Sequence, residues 1–142
     1  MLAAKSRPDR VKALLLINPA PDFTEKLMWA NWSDEIKNNI LTKGVHFEPS
    51  EYDEPYEYRK TLIDDGRACQ LLDNDFSFDG PIRIFQGGND NVVPPDYSRR
   101  IVDIVTSVDV TCTLIKEGDH SLSRPQDLEL MQQALSGLCQ NV

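Results

Sequence analysis

The run Val11-Lys12-Ala13-Leu14-Leu15-Leu16-Ile17-Asn18, stopped by Pro19, constrains the fold most. It is short, nearly continuous in apolar residues, and ended by a residue that cannot donate to a ladder. That is the pattern of a strand buried on both faces of a parallel sheet. Leu2-Ala3-Ala4-Lys5 before it are strong helix formers, and Pro8-Asp9-Arg10 marks a stop and a turn. A helix feeding directly into a buried strand is half of a βαβ unit whose first strand is missing from the sequence.

The sheet pattern returns after Pro81. Ile82-Arg83-Ile84-Phe85 reads as a strand, broken by Gly87-Gly88-Asn89-Asp90. Pro94 or Pro95 opens a helix to about Val105, since proline suits a first helical turn. Val110–Ile115 is β-branched and reads as a strand, and Gly118-Asp119-His120-Ser121 as a loop. A closing amphipathic helix runs from Pro125 or Gln126 to Leu138, with Leu128, Met131, Leu135 and Leu138 on one stripe. Alternating strands and helices imply an α/β fold with a mostly parallel sheet.

Residues 22–80 differ in character. Phe23–Trp32 and Ser33–Lys43 read as short helices, the second capped by Ser33 and ended by Gly44. Val45–Glu48 and Tyr56–Tyr58 flank a loop on Pro49, Ser50, Asp53 and Pro55, and Arg59–Leu72 is helix-like despite Gly66. Aromatic, acidic and irregular, 22–80 reads as a cap-like insertion within one domain, 1–142.

Composition narrows the partners. The 142 residues carry 15 Lys+Arg against 23 Asp+Glu, a formal charge of −8, with 40% hydrophobic residues. This is a globular composition. The acidity argues against nucleic acid, whose binding needs clustered cations, and against anionic membrane surfaces. The longest apolar run, Ala13–Ile17, is far short of a membrane span, and the first residues do not make a signal peptide. Cys69, Cys112 and Cys139 are odd in number and scattered, so they read as reduced thiols in a cytoplasmic protein, two of them as small core residues.

Functional groups of an open parallel sheet collect at the carboxyl ends of its strands. Asp90 follows one strand and His120 the next, so adjacent parallel strands bring the two together. Alone, Asp90 is a turn former and His120 a solvated loop residue. In the order strand, turn, Pro-led helix, strand, His, they read as an acid that orients an imidazole and the imidazole that moves a proton, the back half of a Ser-His-Asp triad.

Gly87-Gly88-Asn89-Asp90-Asn91-Val92-Val93-Pro94 resembles the acid loop of α/β-hydrolases, and Lys116-Glu117-Gly118-Asp119-His120-Ser121-Leu122 their Gly-Asp-His loop. Arg10–Ala20 resembles the strand after the nucleophile helix. With Pro19–Thr24 and Leu27-Met28-Trp29, the chain is similar to bacterial relatives of the abhydrolase branch that includes palmitoyl-protein thioesterase and acyl-glucuronide esterase activities. The resemblance implies the C-terminal part of an α/β-hydrolase fold, with the N-terminal strands and nucleophile elbow missing. It implies hydrolysis of a small acyl ester or thioester through an acyl-enzyme, with Asp90 and His120 catalytic.

No Gly-x-Ser-x-Gly occurs in the sequence, so the chain supplies no nucleophile and is expected to be inactive alone. Ser6 lies at the wrong end of the first helix to serve. Met28 and Trp29 are candidate wall residues of an acyl pocket; packing of the cap is their other reading. His46 reads as a surface or packing residue. Asp64-Asp65 and Asp73-Asn74-Asp75 lack calcium-loop spacing and read as solvated acidic faces, so neither metal nor cofactor is expected. The competing reading is a non-catalytic module, or homo-oligomer, pairing through an exposed sheet edge at Val11–Asn18.

Overall fold

The computed structural model describes residues 1–50 and 53–140. Tyr52, part of the aromatic stretch above, lies outside them. The described residues form two compact units, one of Met1–Pro21 with Leu71 onward, the other Asp22–Gln70.

The first unit is built on three parallel strands, β1 (Leu14–Ile17), β4 (Ile82–Gly87) and β5 (Val110–Ile115), in the order β1-β4-β5. Leu14 pairs with Ile82 and Ile82 with Val110, so all three carboxyl ends emerge together. α1 (Leu2–Ser6) precedes β1, α4 (Asp96–Ile104) joins β4 to β5, and α5 (Pro125–Gln140) closes the chain. Central β4 is the most protected strand. Ile82 and Ile84 are fully buried, as is Ile101 of α4. Each such side chain stabilises the fold by roughly 1.5–3 kcal/mol. Phe85, Leu122 and Met131 form a second cluster that ties β4, the loop after β5 and α5 together.

Four expectations change here. β1 is a terminal strand among the described residues, so Leu14 is buried but Ile17 is 45% exposed. α5 buries Asp127, Met131 and Leu138, while Leu128 and Leu135 are exposed. Met131 and Leu138 of the expected stripe face inward, whereas Leu128 and Leu135 do not and Asp127 takes an inward place. Asp127 can be buried because the Arg124 guanidinium grips its carboxylate with two bonds, 2.7 and 2.9 Å long. Cys69, Cys112 and Cys139 are free and exposed, not core; Cys112 lies on β5, a terminal strand among the described residues. Finally, residues 71–80 go with the sheet unit and not with 22–70, because Leu71, Leu72, Phe76 and Phe78 are buried and Phe76 bridges to Val105.

The second unit holds a π-helix at Thr24–Trp29, α2 (Asp34–Lys43), the antiparallel pair β2 (Val45–Glu48) and β3 (Tyr56–Arg59), and α3 (Lys60–Ala68). Ser33 Oγ accepts the Ile36 N–H, and Gly44 at φ +77° ends α2, a conformation glycine adopts without strain. Gly66 weakens α3 as a helix, yet a Cβ there would collide with the Thr24 side chain, so the glycine allows α3 and the π-helix to touch. Trp29, Trp32, Tyr58 and Tyr56 form a chain of ring contacts with centroids 5.3–6.4 Å apart.

Candidate active site

The site is assembled from the carboxyl ends of β4 and β5. After β4 the chain turns through Gly87 and Gly88, and after β5 through Gly118. The two loops meet backbone to backbone: the Gly88 N–H donates to Ile115 O at 2.8 Å and the Asn89 N–H to Gly118 O at 2.9 Å. A Cβ on Gly87 would lie 2.5 Å from Asp119 O, and one on Gly88 2.5 Å from Lys116 O, so both positions need glycine for this approach.

Asp90 is held from two sides. Its Oδ1 accepts the Val92 and Val93 N–H groups, both at 2.8 Å. Its Oδ2 lies 2.9 Å from His120 Nδ1. The Asp90 side chain has no solvent exposure, whereas that of His120 is 47% exposed. Burial would push the Asp90 carboxyl up. The Val93 N–H, the His120 ring and the Val92 N–H together outweigh burial and hold it below the usual carboxylate range. An ionised Asp90 can only accept, so Nδ1 carries the proton and Nε2 has the lone pair. Among the described residues Nε2 has no hydrogen-bond partner.

The His loop is fixed by a similar device. Asp119 Oδ1 accepts the Ser121 and Leu122 N–H groups at 3.0 and 2.9 Å. Leu122 has φ +45°, unusual for a branched residue and costing about 1–3 kcal/mol. Its fully buried side chain, packed on Phe85 and Met131, offsets that strain. Under the acid loop, buried Gln86 donates to Gly87 O and Val93 O and accepts from Ser98 Oγ at 2.7 Å.

The structure thus brings Asp90 and His120 together. Met28 and Trp29 belong to the Asp22–Gln70 unit, both half-buried, with the Arg67 guanidinium 4.6 Å above the Trp29 ring and bonded to Glu25. His46 pairs across the hairpin with Tyr58, and Asp64 with Lys60. Among the described residues no group of three His, Cys, Asp or Glu side chains could hold a metal. No helix is long and apolar enough to cross a membrane among those residues. Asn18, Gln86 and Ser98 were not singled out from the sequence. Apart from the bonds of Gln86 to Gly87 and Val93, their partners lie 12 to 102 residues away, so no local pattern points to them.

Comparison with known proteins sets this geometry in a family. A protein from Agrobacterium vitis S4, named a hydrolase, superposes with a TM-score of 0.84 at 35% identity, over 91% of this chain and 50% of that one. The fold is that of part of an α/β-hydrolase. Mouse alpha/beta hydrolase domain-containing protein 10 matches with a TM-score of 0.82 at 27% identity, over 98% of this chain and 56% of its own. By sequence, the Pongo abelii protein named palmitoyl-protein thioesterase ABHD10, mitochondrial, is 32% identical over 138 residues, 96% of this chain and 45% of the relative. The chain thus spans about half the length of the curated relatives it matches, consistent with the C-terminal half of the α/β-hydrolase fold. No family model matches the chain.

Proposed function

We propose that this α/β-hydrolase chain supplies the acid and the base of a serine hydrolase acting on a small acyl ester or thioester, and that the nucleophile comes from outside these 142 residues. The observation that carries the reading is the buried Asp90 carboxylate on His120 Nδ1, with Nε2 open on the half-exposed side of the ring. Nε2 takes the proton of a serine hydroxyl as its oxygen attacks the acyl carbon. The imidazolium then returns that proton to the departing alcohol or thiol, leaving an acyl-enzyme. In the second half, Nε2 takes a proton from water as the water oxygen attacks the acyl carbon, and the imidazolium gives that proton to the serine oxygen as the acyl–oxygen bond breaks, freeing the acid and the serine. Asp90 orients the ring and stabilises its cationic form throughout. Three free cysteines suit a thiol-reducing compartment, either the cytoplasm or a mitochondrion as in the relatives' names.

The division of labour is tested by the DNA upstream of the Met1 codon and by a fluorophosphonate probe. An in-frame Gly-x-Ser-x-Gly after a strand pattern, and no labelling of the 142-residue chain, are expected. A labelled serine in this chain, or His120-dependent ester turnover by it, contradicts the reading. A second reading rests on β1 being a terminal strand: an interaction module that pairs through that edge. An obligate dimer in sedimentation, with no esterase activity in any longer product, favours it.

A further inference from the structure

Asn18, the residue after β1, is buried at 6% exposure and has a φ of +39°. A carboxamide in such a place needs its donors and acceptor satisfied. Its Oδ1 accepts the Gly87 N–H at 2.7 Å. Its Nδ2 donates to Asp119 O at 3.1 Å and to His120 O at 2.6 Å. One N–H and two carbonyls surround the group, so the partners themselves dictate which end is oxygen. The Asn18 N–H also donates to Phe85 O at 2.8 Å, which fixes its backbone to β4.

The amide therefore spans from the last residue of β4, where the acid loop begins, to the carbonyl of His120. Among the described residues the His120 ring has one side-chain bond, to Asp90. With the ring 47% exposed, packing does little to hold it, and its place depends on where its main chain is tied. Asn18 makes that tie and anchors it to the strand that carries Asp90.

We propose that Asn18 is a positioning residue, whose carboxamide fixes the main chain of His120 relative to the acid loop so that the imidazole meets Asp90 in one tautomer. The proposal rests on the hydrolase reading for its purpose, though not for its geometry. Asn18 touches no reacting atom. Only an amide fits both roles. A carboxylate would set a second oxygen against two carbonyls, and a glycine would keep the backbone but lose the tie.

The test is ¹⁵N NMR of His120 in the whole chain, above the pH at which the ring is charged. Asn18→Gly keeps the positive φ, and Asn18→Asp keeps the Gly87 bond. In the unsubstituted protein the Nδ1–H tautomer is expected to dominate. Both variants are expected to lose that dominance while the Val92 and Val93 amide shifts stay in place. In a product that turns over ester, kcat is expected to fall about 10²-fold with KM little changed. Folded variants that keep the Nδ1–H tautomer overturn the proposal, even if their melting temperature drops. Failure of both variants to fold also overturns it, in favour of a purely structural strut. Failure of the hydrolase reading looks different: the tautomer shifts in the variants, but no ester turnover depends on His120.

Discussion

The acid loop and the His loop use one local device for different ends. In each, an aspartate Oδ1 accepts the N–H groups two and three residues later, Val92 and Val93 for Asp90, Ser121 and Leu122 for Asp119. In the acid loop that aspartate is itself the functional side chain, buried completely, its second oxygen aimed at the ring. In the His loop the aspartate only shapes the turn, and the functional side chain is its half-exposed neighbour. The difference is instructive. A charged carboxylate can leave water only where N–H donors replace it. An imidazole that must pass protons to a ligand needs one open side. Asp90 should therefore be sensitive in both stability and chemistry, His120 in chemistry alone.

Four measurements would sharpen or break that contrast. Asp90→Asn should lower kcat of a complete hydrolase by about 10⁴-fold, the scale of the same change in a serine-protease triad. A loss below tenfold in a kinetic assay would make Asp90 a turn former after all. Gly87→Ala forces a Cβ to 2.5 Å from Asp119 O and should destabilise the fold by about 1–3 kcal/mol in urea titration, because the clash is with backbone. The third concerns pH. Asp90 has a native pKa below the ordinary value of about 3.9, so its contribution is fully present above that value and is lost as pH falls through the lower native one. Asp127, held down by Arg124, acts in the same direction. Unfolding curves from pH 6 downward should show stability falling below about pH 4, less steeply in Asp90→Asn. The smallest effect is on stability in His120→Ala, expected within about 0.5 kcal/mol of the parent because the ring is half in solvent. A larger loss would show that the His120 side chain is as deeply integrated as that of Asp90.

The same contrast explains what could be read from the sequence. β4 and β5 were legible because runs such as Ile82–Phe85 and Val110–Ile115 are β-branched or apolar and bounded by turns. Given parallel strands, the meeting of Asp90 and His120 followed from topology. The supports of the site were not legible. Asn18 acts on residues 69 and 102 positions away, and no local pattern encodes such a tie. On α5, Met131 and Leu138 were legible as inward residues, but a buried Asp127 depends on Arg124, and hydropathy alone favoured Leu128 and Leu135, which are exposed. In the second unit, Phe23–Trp32 has helical residues, yet the structure winds Thr24–Trp29 as a π-helix. A wider turn of that kind follows packing, here of α3 through Gly66 on Thr24.

The most direct measurement is ester turnover by a product that carries both a Gly-x-Ser-x-Gly elbow and these residues, with and without His120→Ala. If His120 is the base, kcat on a short p-nitrophenyl ester should fall by about 10⁶-fold, as it does when a subtilisin triad loses its histidine, with the fold intact by circular dichroism. Turnover within tenfold of the parent would contradict the assignment of the Asp90–His120 pair.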